Sequence, residues 1–555
     1  MHRPLSPIVT FGCSSLSLLV TLASQAPTVA PAPPAAPLPP LVPPAALQTI
    51  TAQELMAHAQ FLASDELQGR LTGSPGQQAA ASYIAKHFEQ LGLAPLGDEV
   101  DGKRTWFQHY AIERTYVKPS TRLQLGQLAL VDGFAVLGGR PIDVECVGTL
   151  QFCGLGRTSG PKADLAEDAS LADKIAVVAF RAPRGKLPRP LPIERKFMNS
   201  LGVLNQMGKT VKELAKRNAA AVVFVQLDDP TGLVDVLNYV GLAPGKDALT
   251  AAFVDEPGLD QTLKMFDAGD GPPTFLLSIP ASRQLLAELG IGVEAVAALL
   301  GAGDAVPTAK ADVAAKVVLN IGRDPTARAS NVVAVLRGRD PALAAEAVVY
   351  SAHMDHVGTR IDGEVFNGAD DNASGSAGLL AIATAFAKSA EQPKRSILFL
   401  SVSGEELGLW GSLYFANNPT WPARQMVANI NTDMIGRSGS ESGPTEVTVT
   451  PSHRHAKFSS LVRDAARFGA ELGCSFTSGD KYYTRSDHYN FAKIGIPVVF
   501  FRNGEHEDYH QVTDHADKLD GAKMERIARL AFWTGWSVAN DGERPRQLGK
   551  QPAWR

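Results

Sequence analysis

Apolar positions change rhythm twice along this chain. From 51 to 93 they recur at helical spacing, through Phe61 and again from Ala79 to Leu91, and Thr51 precedes Glu54 as a capping box, so the stretch predicts helices. From about 128 to 305, short β-rich runs such as 175–180 and 221–226 alternate with Gly/Pro turns and one helix near 211–217. Beyond that, runs that are apolar throughout (331–336, 347–351, 396–402, 427–431 and 496–501) alternate with helical segments at 375–388, 409–417 and 456–468. Strands with no polar face, alternating with helices, predict a largely parallel sheet covered on both sides. In such sheets ligands bind beyond the carboxyl ends of the strands.

The first residues differ from all of this. Arg3 precedes a mostly apolar run from 8 to 23, diluted by Gly12, Ser14, Ser15 and Ser17, and Ser24 and Ala26 are spaced as for signal peptidase. A signal peptide over 1–26 is expected, which implies export to the periplasm or beyond the cell; a retained N-terminal anchor is the alternative, and no stable membrane insertion is expected otherwise. Residues 27–48 are almost entirely Pro, Ala, Leu and Val, an extended linker.

Composition narrows the class. A chain of 555 residues, 45% hydrophobic and 20% charged, is globular and too long for one core. Its formal charge, 53 − 57 = −4, gives no reason to expect nucleic acid as a partner. Past the signal, Cys146, Cys153 and Cys474 remain. Cys146 and Cys153 could pair in an oxidising compartment, or all three could be buried thiols.

Four of these apolar strands run into acid or imidazole, and a loop between two of them adds a fifth cluster. Strand 347–351 leads to His353-Met354-Asp355, and a loop then carries Asp370-Asp371-Asn372 into a helix. Strand 396–402 leads to Glu405-Glu406, strand 427–431 to Asp433, and strand 496–501 to a loop with Tyr509-His510. One such acid is an ordinary loop residue. Several at one rim would repel and raise one another's pKa unless a cation neutralises them, and imidazole with carboxylate suits zinc or a similar divalent ion. His506-Glu507-Asp508-Tyr509-His510 also spells HExxH, the single-zinc protease signature, but that chemistry needs a helix, and no apolar helical period surrounds it. No Gly-x-Ser-x-Gly elbow, phosphate loop or dinucleotide fingerprint occurs.

His-x-Asp, Gly-Ala-Asp-Asp-Asn-Ala-Ser-Gly, Ser-Gly-Glu-Glu-Leu-Gly, Asn-Thr-Asp-Met-Ile-Gly and Tyr-His, in this order, resemble the co-catalytic di-zinc aminopeptidases. The resemblance implies the zinc exopeptidase fold, an α/β architecture whose mixed, largely parallel sheet is sandwiched by helices. It also implies two Zn2+ per chain: His353 and Asp433 on one, Glu406 and His510 on the other, and Asp370 bridging through a residue pair, Asp370-Asp371, joined by a cis peptide. Glu405 would be the general base acting on water held between the ions, Asp355 would orient His353, to which it is two extended residues distant, and Tyr509 would stabilise the oxyanion. Segment 128–305 resembles the protease-associated domain that some members insert. The domains expected are thus 49–127 and 306–540 for the catalytic unit, 128–305 for the insert and 541–555 for a tail.

The function so implied is removal of N-terminal residues from peptides or proteins. A carboxypeptidase or another hydrolase on this fold is the alternative, with Arg437 and Arg485 as candidate groups for a substrate carboxylate; glutaminyl cyclisation and a metal-free binding protein fit the full ligand set less well.

Overall fold

The computed structural model describes residues 42–138, 142–180, 193–227, 242–252, 271–302, 306–438 and 442–554. The expected signal peptide and most of the Pro/Ala linker lie outside the described residues. The linker's last residues do not stay extended: a 3-10 turn, Ala45–Thr49, buries Ala46 and Leu47.

Two helices follow, α1 (Ala52–Leu62) and α2 (Pro75–Gln90), each with a side-chain cap. The Glu54 amide donates to Thr51 Oγ1 at 3.3 Å, and the Gln77 amide to Ser74 Oγ at 3.2 Å, with Pro75 in the first turn of α2 where its missing N–H costs nothing. Strand β1 (Phe107–Val117) then leads into the β-rich segment.

The chain returns through β2 (Ala314–Asp324) and β3 (Arg328–Leu336). Next come β4 (Ala347–His353), α3 (Gly375–Ala387), β5 (Ser396–Val402), α4 (Trp410–Asn417), β6 (Met426–Thr432), β7 (Glu446–Thr450), α5 (Ser460–Glu471), β8 (Ser475–Ser478), α6 (His488–Lys493), β9 (Val498–Arg502) and α7 (Gly521–Asn540). Strands β5, β4, β6 and β9 lie side by side and parallel. Antiparallel β3 flanks β5, antiparallel β7 flanks β9, and β8 pairs parallel to β7. Every residue of β4, β5 and β6 is buried, as their unbroken apolar runs require. The sheet is mixed, with helices packed against it, as expected. Helix α5 begins at Ser460 rather than 456, because residues 452–458 are taken up by turns closed from His455 N–H to the Ser452 carbonyl and from Phe458 N–H to that of His455.

The seam with the insert is wider than 128–305. Residues 107–111 of β1 pair with β3, but residues 112–115 pair with strand Ala248–Ala251 and residues 114–117 with β2. Strand β2 in turn pairs with Arg122–Leu125 and Ile142–Phe152. The segment has its own core, in which Phe134, Phe275, Leu285 and Val317 are completely or almost completely buried. Cys146, Cys153 and Cys474 are all free thiols, which removes the pairing alternative. Burial pushes Cys153 up to about 12 and Cys474 to about 11, so neither is a thiolate near neutrality. Among the described residues no single helix is long and apolar enough to cross a membrane.

Helix α7 lies directly on the centre of β4. Tyr350 Oη reaches the Ala531 and Phe532 carbonyls, both at 3.1 Å, and a Cβ at Gly535 would overlap that hydroxyl. In a free helix Gly→Ala gains up to ~1 kcal/mol. Here Gly535→Ala is expected to lose about 1–3 kcal/mol by overpacking, visible as a lower midpoint in urea; an unchanged or raised midpoint would contradict this packing.

Candidate metal centre and active site

The four parallel strands end at one rim, and their loops supply the site. His353 is the last residue of β4. Its Nε2 lies 3.4 Å from Asp371 Oδ1 and 3.4 Å from Asp433 Oδ1, with Glu405 Oε2 at 3.9 Å. A second group adjoins it. His510 Nε2 is 2.8 Å from Asp371 Oδ2 and 3.1 Å from Glu406 Oε2. Asp371 thus presents one oxygen to each cluster.

The acid that faces both clusters is Asp371, not Asp370. Asp370 is turned the other way and fully engaged: Oδ1 accepts from Gly436 N–H (2.6 Å) and Ser374 Oγ (3.0 Å), and Oδ2 from Asn503 Nδ2 (2.9 Å) and lies 3.0 Å from His506 Nε2. The cis peptide is likewise one residue later than expected, at Asp371-Asn372. The turn into this loop needs glycine, since Gly368 has φ +55° and a Cβ there would strike the Asp371 carbonyl. Asp514 Oδ2 then accepts the Asp370 and Asp371 amides at 3.0 and 3.2 Å.

Asp355 lies where it can orient two partners. His353 Nδ1 is 3.7 Å from its carboxylate and 3.2 Å from its carbonyl, and the Glu405 amide donates to Oδ1 at 3.3 Å while Thr72 Oγ1 donates to Oδ2 at 2.9 Å. His356 escaped sequence reasoning. It is fully buried, and its Nδ1 lies 2.7 Å from Glu406 Oε1, the oxygen turned away from His510. Alternation along an extended strand would have put it opposite His353, but the strand ends at His353 and the chain turns. Tyr509 stacks on His510 with ring centroids 3.9 Å apart. Burial, then the charges of Asp371 and Glu406, keep its phenol protonated far above the usual range.

The HExxH spelling is not a site. No helix forms over it; His506 faces Asp370 while His510 faces Asp371 and Glu406.

The charge balance explains the rest. Burial opposes a charge on His510, but Glu406 and Asp371 outweigh it and lift it to about 10; Glu405 and Asp433 do the same to His353. Against burial and the repulsion of Asp371, His510 and His356 hold Glu406 down to about 2. The acids around both imidazoles thus draw positive charge to them, charge that a divalent ion on the neutral rings would supply instead. His353 Nε2 and Asp433 Oδ1 are buried without a hydrogen-bond partner. Imidazole nitrogens and carboxylate oxygens gathered within 4.8 Å as His353/Asp371/Asp433 and His356/Asp371/Glu406/His510 fit a pair of divalent ions. Glu405 stands apart: burial, with Asp433 and Glu406, raises it well above the usual carboxylate range against the pull of His353.

Beneath the rim lies Arg70, fully buried. It donates to four backbone carbonyls: Met354 (2.8 Å), Asn367 (2.7 Å), Gly368 (3.0 Å) and Leu62. Burial lowers it to about 10, with Asp355 and Asp371 pulling it back up, so it remains a cation.

Residues 331–534 match the profile of peptidase family M28. Over that span the chain is similar to that family. The M28 segment contains every residue of both clusters. A probable zinc metalloprotease of Pyricularia oryzae is 30% identical over 38% of this chain and 50% of its own length. A probable leucine aminopeptidase of Arthroderma otae is 28% identical over 37% of this chain and 57% of its own. The chain spans about half the length of the curated relatives it matches. A zinc aminopeptidase from Bacillus subtilis, of known structure, covers 89% of this chain and 96% of its own at 17% identity and a TM-score of 0.52, a likeness of fold.

The two adjacent acids separate experimentally. Asp371→Asn is expected to weaken zinc binding by at least about tenfold, read by metal analysis after dialysis. Asp370→Asn should keep its zinc but lose about 1–3 kcal/mol of stability through its buried hydrogen bonds. The reverse pattern would restore Asp370 as the bridge.

Proposed function

We propose that this chain is a zinc-dependent aminopeptidase. The single observation that carries the proposal is Asp371 offering one carboxylate oxygen to His353 and Asp433 and the other to Glu406 and His510. The names of the M28 relatives support zinc and peptide substrates. In this proposal His353, Asp371 and Asp433 hold one ion and Asp371, Glu406 and His510 the other, and two such ions would acidify water and polarise a peptide carbonyl.

The chain's own groups do the remaining work. Glu405, held well above the usual carboxylate range by its burial, takes a proton from water and returns it to the departing amine. Asp355 fixes both ends of this apparatus, His353 by its ring and Glu405 by its amide. The Tyr509 phenol, kept protonated, donates to the oxygen where charge develops. Against carboxypeptidase action stands Arg437, whose NH2 is committed to Asp508 at 2.8 Å. Export by an N-terminal signal, and a protease-associated role for the β-rich insert in bordering the cleft, belong to the same proposal; they rest on the charged, apolar and small-residue order of 1–26 and on the residue pattern of the insert.

Two measurements test it. Glu405→Gln is expected to retain its metal and lose about 10²–10⁴-fold in turnover; full activity would remove it as the base. Peptides with a free N-terminus should shorten from that end while N-acetylated ones resist, and shortening from the carboxyl end would refute aminopeptidase action.

A further inference from the structure

A second gathering of metal-type ligands lies away from the rim. Glu54 and His58 stand one turn apart on α1, which puts both on one face, and His87 comes from the last turn of α2. One Glu54 oxygen and one ring nitrogen each from His58 and His87 lie within 4.8 Å of one another. His58 Nε2 is 3.9 Å from Glu54 Oε1, and the two imidazoles meet edge to face with centroids 4.8 Å apart.

Each ligand is already prepared. His58 Nδ1 is bonded to Tyr83 Oη at 2.7 Å, the arrangement by which a second partner fixes the ring and tautomer of a metal-bound imidazole. Burial, and after it the neighbouring His58, pushes His87 down to about 4, so near neutral pH it is uncharged. Burial disfavours the Glu54 carboxylate, yet bonds from His58 and Thr384 and the charge of Lys388 hold it ionised. Lys388 is the cation that opposes a metal here, and Thr384 Oγ1, 3.1 Å from His87 Nε2, and the Leu380 backbone are further polar neighbours of His87.

We propose that Glu54, His58 and His87 form a further divalent-cation site of zinc type, separate from the catalytic pair. Two imidazoles and a carboxylate are a known zinc set, and bonds of ~2.0–2.2 Å would require the 3.9 Å separation to close only slightly, to about 3.3 Å. The ion clips α1 to α2 behind the loop that carries Asp371, against which Leu62 and Ala63 pack through Ala369 and Ala373. Its function is to brace that loop.

The full chain, stripped by chelator and titrated with zinc alone, tests the site by calorimetry and elemental analysis. Three ions per chain are expected in the wild type and two in the His58→Gln/His87→Gln double variant. The variant's peptide turnover should stay within about twofold, and zinc should raise the wild-type midpoint by about 2–4 °C more than the variant's. One ion fewer in the variant supports the site; equal stoichiometry in the two proteins overturns it. Asp371→Asn keeps this separate from the catalytic proposal, because it should empty the rim and leave one ion that only the His58 and His87 changes remove.

Discussion

Like charges crowded into a buried space govern this molecule. Asp355, Asp370, Asp371, Glu405, Glu406, Asp433, Asp487 and Asp514 converge around the ends of four strands, all of them at least largely withdrawn from water. Such a set collapses into protonated acids unless positive groups answer it. His353 and His510 answer from inside, Arg70 from below and Arg437 from the side. Arg70 is the most economical of these, because it neutralises and ties at once: its fork joins the end of α1, the segment after β4 and the Gly368 turn, so the pieces that carry His353 and Asp371 cannot drift apart. Asp487, with burial raising it to about 7 despite His353, shows how far the balance is stretched.

Most of the architecture was legible because burial on both faces writes itself as an unbroken apolar run, and β4, β5 and β6 have no polar side to obscure it. The acids after each strand were legible for the same reason: polar residues that interrupt such a run at its carboxyl end stand at the rim. What could not be read was which of two neighbouring aspartates turns inward. Asp370 and Asp371 are chemically identical, and the choice is made by partners 66, 133 and 144 residues away, Gly436, Asn503 and Asp514, whose amides and carboxylate claim Asp370 and the loop backbone. His356 was lost for a related reason, since side-chain alternation holds only while the strand continues. Arg70 carries no local signal at all; its partners are carbonyls, which every residue has.

The edges of the insert were misplaced by the length of β1 and β2. Each is an eleven-residue strand, and β1 serves two neighbourhoods, its first half paired with β3 and its second with the insert. Texture along the sequence changes where turns begin, near 128, whereas hydrogen bonding changes partners inside a strand, where composition gives no mark.

That shared strand has a mechanical meaning. Chain leaves for the insert at Val117 and comes back at Ile321, and these two residues are directly paired. Departure and return pass through a single ribbon. An excursion of about two hundred residues therefore begins and ends at one point of the sheet. Strand β1 itself runs without a break from its pairing with β2 into its pairing with β3, so this segment and the main sheet share one continuous strand.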